Sequence, residues 1–292
     1  MGTKPLPSLG GIALQIPMGV GGVRPEPVVE FARKKSPAPE PDSADNGHQL
    51  GTRVADPEFA PAFLANCLQI VLPRDIDEPL VIVNDRSTAP AIEAYKSLRT
   101  RLIKSQTTEG FRSIAITSVG RSDGKTVTAF NLACCCAQVE NLTTLLIDGD
   151  LRSRSLSNLL GLPSGGLAHV LDGSASCQEA VVRTDIPNLC VMGAGKTEVQ
   201  STEVFSTVRW KQVIRWAQDH FKLVLVDALS MGALADFELI AGECERILVV
   251  VRARSTSREA LKGAINQLDP RKLAGVVLNA EHSKNGHYIA SE

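Results

Sequence analysis

From about residue 80 onward, the chain alternates short, almost wholly apolar runs with longer amphipathic stretches. The apolar runs lie at Ser113–Ser118, Thr144–Asp148, Leu189–Met192, Leu223–Asp227, Arg246–Arg252 and 273–279. Runs this short and this apolar are typical of strands buried on both faces, as in a parallel sheet covered by helices. The helical segments between them indicate right-handed βαβ units. The pattern therefore predicts an α/β fold with a doubly wound, mostly parallel sheet and helices on both faces.

The first 78 residues follow a different pattern. Thirteen of the sixteen prolines fall within the first ninety residues, and proline removes backbone donors and fixes φ. We expect residues 1–78 to form a Pro-rich, mostly disordered arm. One apolar stretch, 59–72, is an exception, for which a small helix, a docking segment and transient structure are open alternatives. The predicted division is an arm at 1–78, a main domain at 79–280 and a short tail at 281–292.

Composition excludes several classes of protein. The formal net charge is −1, with 43% hydrophobic and 22% charged residues, so no general electrostatic attraction to nucleic acid or an anionic membrane is expected. No apolar run approaches the roughly 18–20 residues that span a bilayer, and the uncharged stretch 5–23 lacks a clear signal-peptide cleavage site. The seven cysteines form no CxxC pair, and we expect those at 134–136 to pack against the sheet. These features predict a cytoplasmic protein with no membrane span of its own.

The first predicted strand runs into a glycine-containing turn and then a helix. In such units, backbone N–H groups and the positive end of the helix face a phosphate. We expect Lys125 to reach the β- and γ-phosphates and the Thr126 hydroxyl to ligate Mg²⁺, although Val119 stands where the GxxxxGK[ST] pattern has its first glycine. The candidate phosphate-binding residues are Gly120, Arg121, Ser122, Asp123, Gly124, Lys125, Thr126 and Val127.

Two further predicted strands end in carboxylates. Asp148 and Asp150 follow the second strand, and Asp227 ends the fourth. Strand ends of this kind form the edge at which α/β folds bind ligands. Two ionised aspartates so close repel each other unless a cation or a proton lies between them. Each acid alone is equally typical of a polar turn, but the three strand ends together predict a domain that binds a nucleoside triphosphate with Mg²⁺.

These motifs resemble those of the bacterial tyrosine kinases (BY-kinases) of capsule and exopolysaccharide biosynthesis, a branch of the MinD/ParA-like P-loop ATPases. The run 145–152, three aliphatic residues followed by Asp-Gly-Asp-Leu-Arg, resembles the family's second Walker motif, and the Asn-Leu-Ala at 131–133 resembles the helix after its first. Upstream, Glu93, Lys96 and Arg99 resemble its E-x-x-R-x-x-R interface motif, with Lys96 in place of an arginine. The alternative for this helix is a solvated face opposite a stripe that buries Tyr95.

The resemblance implies a P-loop NTPase fold that binds ATP and Mg²⁺ and transfers the γ-phosphoryl group to tyrosines in the tail of a neighbouring subunit. It also implies a homo-oligomer, and a separate transmembrane polysaccharide co-polymerase that activates the kinase and recruits it to the inner face of the membrane. The roles it implies are phosphate and Mg²⁺ binding by Lys125 and Thr126, metal ligation and the candidate base from Asp148 and Asp150, completion of the metal shell by Asp227, and a nucleotide contact from Arg152.

Three departures from the family pattern keep alternatives open. The tail holds one tyrosine, Tyr288, where the family has a cluster, and the chain's other tyrosine, Tyr95, is expected to pack in the core. Asp227 is followed by Ala-Leu-Ser rather than x-Pro-Pro, and the phosphate loop is poor in glycine. The alternatives to a tyrosine kinase are a MinD/ParA-like ATPase switch, whose signature lysine is replaced by Gly120, and a catalytically degraded scaffold of the same export system. A nucleic-acid-binding function is not favoured, because the sequence has no basic stripe or aromatic platform.

Overall fold

A nine-stranded sheet forms the centre of the domain. The computed structural model of the chain describes residues 12–17, 61–73, 89–196, 201–232 and 234–281. The strands are β1 (Ile12–Pro17), β2 (Gln69–Ile70), β3 (Ser113–Ser118), β4 (Thr144–Asp148), β5 (Val181–Thr184), β6 (Leu189–Met192), β7 (Leu223–Asp227), β8 (Arg246–Arg252) and β9 (Leu273–Glu281). Their order is β1-β9-β8-β3-β7-β4-β6-β5-β2, and all neighbours are parallel except the antiparallel pair β5–β6. The predicted doubly wound, mostly parallel sheet is confirmed.

Helices cover both faces of this sheet. They are α1 (Ala89–Glu109), α2 (Lys125–Ala137), α3 (Ser155–Leu160), α4 (Leu167–Asp172), α5 (Cys177–Ala180), α6 (Ser201–Phe205), α7 (Val208–His220), α8 (Leu234–Glu243) and α9 (Arg258–Asn266). Apolar residues of α1, α2 and α3 form one core cluster with alternate strand residues, and those of α4, α7 and α8 form the other. Each central strand therefore buries both of its faces, which is why its sequence is an unbroken apolar run.

Two segments of the predicted arm lie at opposite edges of the sheet. β1 pairs with β9 at one edge, and β2 pairs with β5 at the other. Just before β2, a short 3₁₀ helix (Ala62–Asn66) buries Leu64, and just after it the N–H of the buried Leu72 donates to Asp185 Oδ1 at 3.0 Å. The described part of the 59–72 stretch is therefore docked on the domain. The other residues of the arm lie outside those described, and the division at residue 78 stays a prediction.

Tyr95 is buried where α1 packs against α2. It is 1% exposed and lies in one core cluster with Leu98 and Leu102 of its own helix and the cysteines of α2. Burial raises the pKa of its hydroxyl to about 12, although a hydrogen bond with the Asn131 side chain opposes that shift. Tyr95 is thus the packing residue that its spacing predicts, and its hydroxyl does not face solvent.

Changes at Tyr95 should therefore affect stability. We expect Tyr95→Phe to lower the free energy of unfolding by about 1 kcal/mol, through the lost hydrogen bond, and Tyr95→Ala to lower it by about 3–5 kcal/mol, through the cavity it leaves. Urea denaturation followed by circular dichroism measures both changes. A cost below about 1 kcal/mol for the alanine variant would contradict the burial described above.

Candidate functional site

The sheet order brings three of the predicted site segments to one edge. β7 lies between β3 and β4 and runs parallel to both. Asp148, the last residue of β4, is paired in register with Asp227, the last residue of β7. The loop that follows β3 leaves the sheet beside them, so the predicted phosphate-binding and acidic residues meet at the carboxyl edge.

The phosphate loop, residues 119–124, takes its shape from hydrogen bonds of its own and from neighbouring strands. Two of its residues, Ser122 (φ 64°) and Gly124 (φ 94°), adopt left-handed backbone conformations. Asp123 is buried, and its Oδ2 accepts a hydrogen bond from the Gly120 N–H at 2.8 Å. A Cβ at Gly124 would clash with the side-chain amide nitrogen of Asn279, so only glycine fits there without moving Asn279.

Lys125 is the first residue of α2 and lies among the acids. Its Nζ is 3.4 Å from Asp227 Oδ1, 3.7 Å from Asp150 Oδ2 and 3.2 Å from Thr126 Oγ1. Burial acts to lower the pKa of Lys125, but the two carboxylates outweigh it and the pKa is raised. No side chain caps the N-terminus of α2 in this part of the structure. The positive end of the helix and a charged lysine are therefore both available to an anion.

Asp227 is the acid whose surroundings best suit a cation. It is completely buried, and among the described residues no group hydrogen-bonds to its Oδ2. Burial raises the pKa of Asp227, while Lys125 and a hydrogen bond with Thr126 oppose that rise. A buried carboxylate oxygen without a partner is costly. One beside a threonine hydroxyl is a suitable ligand for Mg²⁺, so these residues fit the predicted ion.

Asp148 and Asp150 have separate partners. Asp148 Oδ2 accepts hydrogen bonds from the Ser157 N–H and hydroxyl at 2.8 and 2.6 Å, and its Oδ1 accepts from the Asp150 N–H at 3.2 Å. Burial and the nearby Asp227 raise the pKa of Asp148 to about 7, against the hydrogen bonds from Ser157. The Asp150 carboxylate instead accepts from the Ser153 N–H and faces Lys125. A cation bridging the Asp148 and Asp150 carboxylates stays a prediction.

The remaining predicted site residues are less centrally placed. The Arg152 side chain is 59% exposed and forms a 2.8 Å ion pair with the buried Asp236 of α8. Arg121 is exposed in the phosphate loop, and Val127 is half-buried in the first turn of α2. The nucleotide contacts expected of these three residues stay predictions.

The predicted interface residues lie on α1. Lys96 and Glu93 form an exposed ion pair at 2.7 Å, and Arg99 donates to the Cys135 carbonyl oxygen of α2 at 3.3 Å. Glu93 and Lys96 therefore face solvent, whereas Arg99 is turned toward α2. The predicted phospho-acceptor, Tyr288, lies outside the described residues.

Some residues that shape the site were not predicted. Ser157 holds Asp148. Arg252, the last residue of β8, and Thr256, in the turn after it, contact the phosphate loop. Asn279 holds the same loop from β9, where the sequence predicted a strand but no role in the site. No local pattern identifies these residues, because their contacts depend on which strands become neighbours.

A strand–loop–helix unit with a lysine between strand-end carboxylates defines a P-loop nucleotide-binding domain. No protein-family model matches the sequence. Two curated relatives are the tyrosine-protein kinase CpsD of Streptococcus agalactiae and the putative tyrosine-protein kinase CapB of Staphylococcus aureus. CpsD is 29% identical over 170 residues, covering 57% of this chain and 74% of the relative. CapB is 24% identical over 200 residues, covering 68% and 87%.

Solved structures show the same fold. The kinase domain of the Escherichia coli tyrosine kinase ETK matches with a TM-score of 0.66 at 24% identity, covering 75% of this chain and 87% of that domain. The cell division ATPase MinD of Pyrococcus furiosus matches with a TM-score of 0.50 at 26% identity, covering 57% and 71%. The resemblance that the motifs indicated is confirmed, and the chain is a relative of the bacterial tyrosine-protein kinases. Across the described residues, no helix has the length and apolar character needed to cross a membrane.

The raised pKa of Asp148 predicts a pH dependence of stability. Its carboxyl group has a pKa of about 7 in the folded state against an ordinary value of 3.8. As pH rises between these values, the unfolded chain loses the proton while the folded chain keeps it, so stability falls. We expect a lower midpoint of thermal unfolding near pH 7.5 than near pH 5 without nucleotide or Mg²⁺.

Asp148→Asn should flatten this pH dependence, because the substituted group does not titrate. Asp219→Asn, at an exposed position of α7, is the matched control. Differential scanning fluorimetry across the pH series measures the slope. An unchanged slope in Asp148→Asn would contradict the assignment.

Proposed function

We propose that the chain is an ATP·Mg²⁺-dependent protein-tyrosine kinase that regulates the polymerisation and export of exopolysaccharide or capsule. The observation that carries this proposal is the position of Lys125 between Asp227 and Asp150, beside an unpaired oxygen of Asp227. Such a site offers a lysine to a phosphate and a carboxylate oxygen to a divalent cation. The tyrosine-protein kinase names of its relatives support the reaction class.

The residues of the site suit the separate tasks of phosphoryl transfer. Lys125 and the N-terminus of α2 would bind the β- and γ-phosphates, and Thr126 and Asp227 would hold Mg²⁺. The bound Mg²⁺ supplies charge neutralisation for the transferred group. Asp148, with a pKa of about 7, is suited to accept a proton near neutral pH. Asp150 would position Lys125 through the contact already present between them.

We further propose that the protein acts as a homo-oligomer recruited to the inner face of the membrane by a transmembrane polysaccharide co-polymerase. The exposed Glu93–Lys96 pair on α1 offers charged groups that a neighbouring subunit can contact. The tail tyrosine, Tyr288, is the candidate acceptor within such an assembly.

Lys125→Met tests the proposed site. We expect this variant to lose nearly all ATP turnover and phosphotyrosine formation while remaining folded, because the ammonium group faces the site and methionine keeps an unbranched chain of similar length. Purified protein is incubated with ATP and Mg²⁺, ADP release is measured, and phosphotyrosine is located by mass spectrometry. Lys104→Met, on the exposed side of α1, is the matched control and should behave like the natural chain.

The outcomes separate the alternatives. Lys125-dependent phosphotyrosine supports the kinase. Lys125-dependent ADP release without phosphotyrosine would replace it with an ATPase switch. No ATP binding would overturn both and leave a scaffold. Full turnover in Lys125→Met would show that the phosphate loop is wrongly assigned.

Tyr288→Phe tests whether Tyr288 accepts the phosphoryl group. If the tail is the acceptor, we expect this variant to lose all phosphotyrosine on the chain itself but to keep its nucleotide affinity. Tyr95→Phe should leave the phosphotyrosine signal intact, because Tyr95 is buried. Phosphotyrosine that persists in Tyr288→Phe would contradict the tail assignment. Phosphopeptide mapping and a nucleotide-binding titration measure the two effects.

A further inference from the structure

We propose that Thr256, in the turn after β8, is a positioning residue that holds the phosphate loop in its nucleotide-binding shape by way of Asp123. The inference rests on the proposed function, because it names a further determinant of nucleotide binding at the same site. Thr256 and Asp123 are 133 residues apart in sequence, and no motif of the phosphate loop includes Thr256.

Asp123 links the start of the loop to the turn after β8. It is only 3% exposed although it carries a carboxylate. Its Oδ2 accepts from the Gly120 N–H at 2.8 Å, and its Oδ1 accepts from the Thr256 hydroxyl at 3.0 Å. Both oxygens of Asp123 thus accept hydrogen bonds that fix the loop. These bonds offset the cost of burying the carboxylate.

The Thr256 hydroxyl is held in one orientation. Its oxygen accepts a hydrogen bond from the Arg252 N–H at 3.3 Å, so its hydrogen is directed to Asp123. The turn that carries it is closed by hydrogen bonds from the N–H groups of Thr256 and Ser255 to the Arg252 carbonyl oxygen, at 3.0 and 3.2 Å. Thr256 therefore projects from a fixed turn at the end of a central strand.

The backbone of the phosphate loop is strained and is stabilised by hydrogen bonds from residues outside it. Ser122 adopts a left-handed conformation (φ 64°) that is unfavourable for a residue with a Cβ. Arg252 Nη1 donates to the Ser122 carbonyl oxygen at 3.2 Å, and Asn279 Nδ2 donates to the Asp123 carbonyl oxygen at 2.8 Å. Arg252 and Asn279 thus bind backbone atoms of the loop, whereas Thr256 binds the Asp123 side chain. Its loss should let the loop relax away from the geometry that a phosphate requires.

Thr256→Val tests the inference, because it removes the hydroxyl and keeps the branched shape. We expect the dissociation constant for Mg·ADP to rise about tenfold, the lower end of the effect of losing one hydrogen bond to a charged group. We also expect faster hydrogen exchange of the Gly120 amide, measured by NMR without nucleotide, and unchanged exchange in the central strands. Thr256→Ser, which keeps the hydroxyl, should restore both properties to within about twofold. Thr107→Val, whose hydroxyl lies on the exposed side of α1, is the matched control.

The hydrogen-exchange measurement needs no nucleotide, so it tests the role of Thr256 independently of the proposed function. If the natural chain binds no nucleotide, the proposed function fails, and the Gly120 amide alone decides whether Thr256 holds the loop. Unchanged exchange and affinity in Thr256→Val would overturn the inference. So would faster exchange throughout the sheet, since that shows a general loss of stability, or a serine variant that behaves like the valine variant.

Discussion

The site depends on the burial of two carboxylates side by side. Asp148 and Asp227 end paired strands in register, and both are completely buried. Like charges in such a place are tolerated only when protons, cations or hydrogen bonds offset them. Ser157 supplies hydrogen bonds to Asp148, and Lys125 supplies a positive charge to Asp227. Lys125 therefore offsets part of the charge of Asp227 in addition to any contact that it makes with a nucleotide.

The same constraint shapes the chain that follows β4. The Gly149 N–H donates to the Asp227 carbonyl oxygen at 3.0 Å, and a Cβ at Gly149 would lie 3.1 Å from that oxygen. Glycine therefore allows the backbone to turn close against the end of β7. The turn places Asp150 beside Lys125, and it carries Arg152 to Asp236 of α8. The segment after β4 thus contacts the end of β7, the start of α2 and helix α8.

The sequence predicted the strands whose composition alone shows that they are buried. The six apolar runs became strands within two residues of their expected ends, because strands buried on both faces have an unmistakable composition. β5 was not predicted, since the half-buried Arg183 interrupts a run of only four residues. β1 and β2 were not predicted either, because each depends on a partner strand far away in sequence.

The residues of the candidate site also fall into a group that the sequence predicted and a group that it did not. Lys125, Thr126 and the three acids stand in motifs, so the sequence indicated them and the topology brings them together. The residues that hold those motifs come from other strands and loops, and their contacts exist only once the sheet order is known. The phosphate loop illustrates this division, because its scarcity of glycine suggested a poor site. Hydrogen bonds from Asn279 and Arg252 hold it in place, and the half-buried Val119 packs against the core.

The acids at the two edges of the sheet differ in how fully their oxygens are paired. At the amino end, Glu245 Oε2 accepts hydrogen bonds from the backbone N–H groups of Arg112 and Ser113 and from the Gln218 side chain. That oxygen is fully used by groups of the chain itself. At the carboxyl end, Asp227 has Lys125 on one oxygen, while its other oxygen lacks any partner among the described residues. Glu245 thus has its oxygen paired within the chain, whereas Asp227 keeps an oxygen that suits a cation beside Lys125.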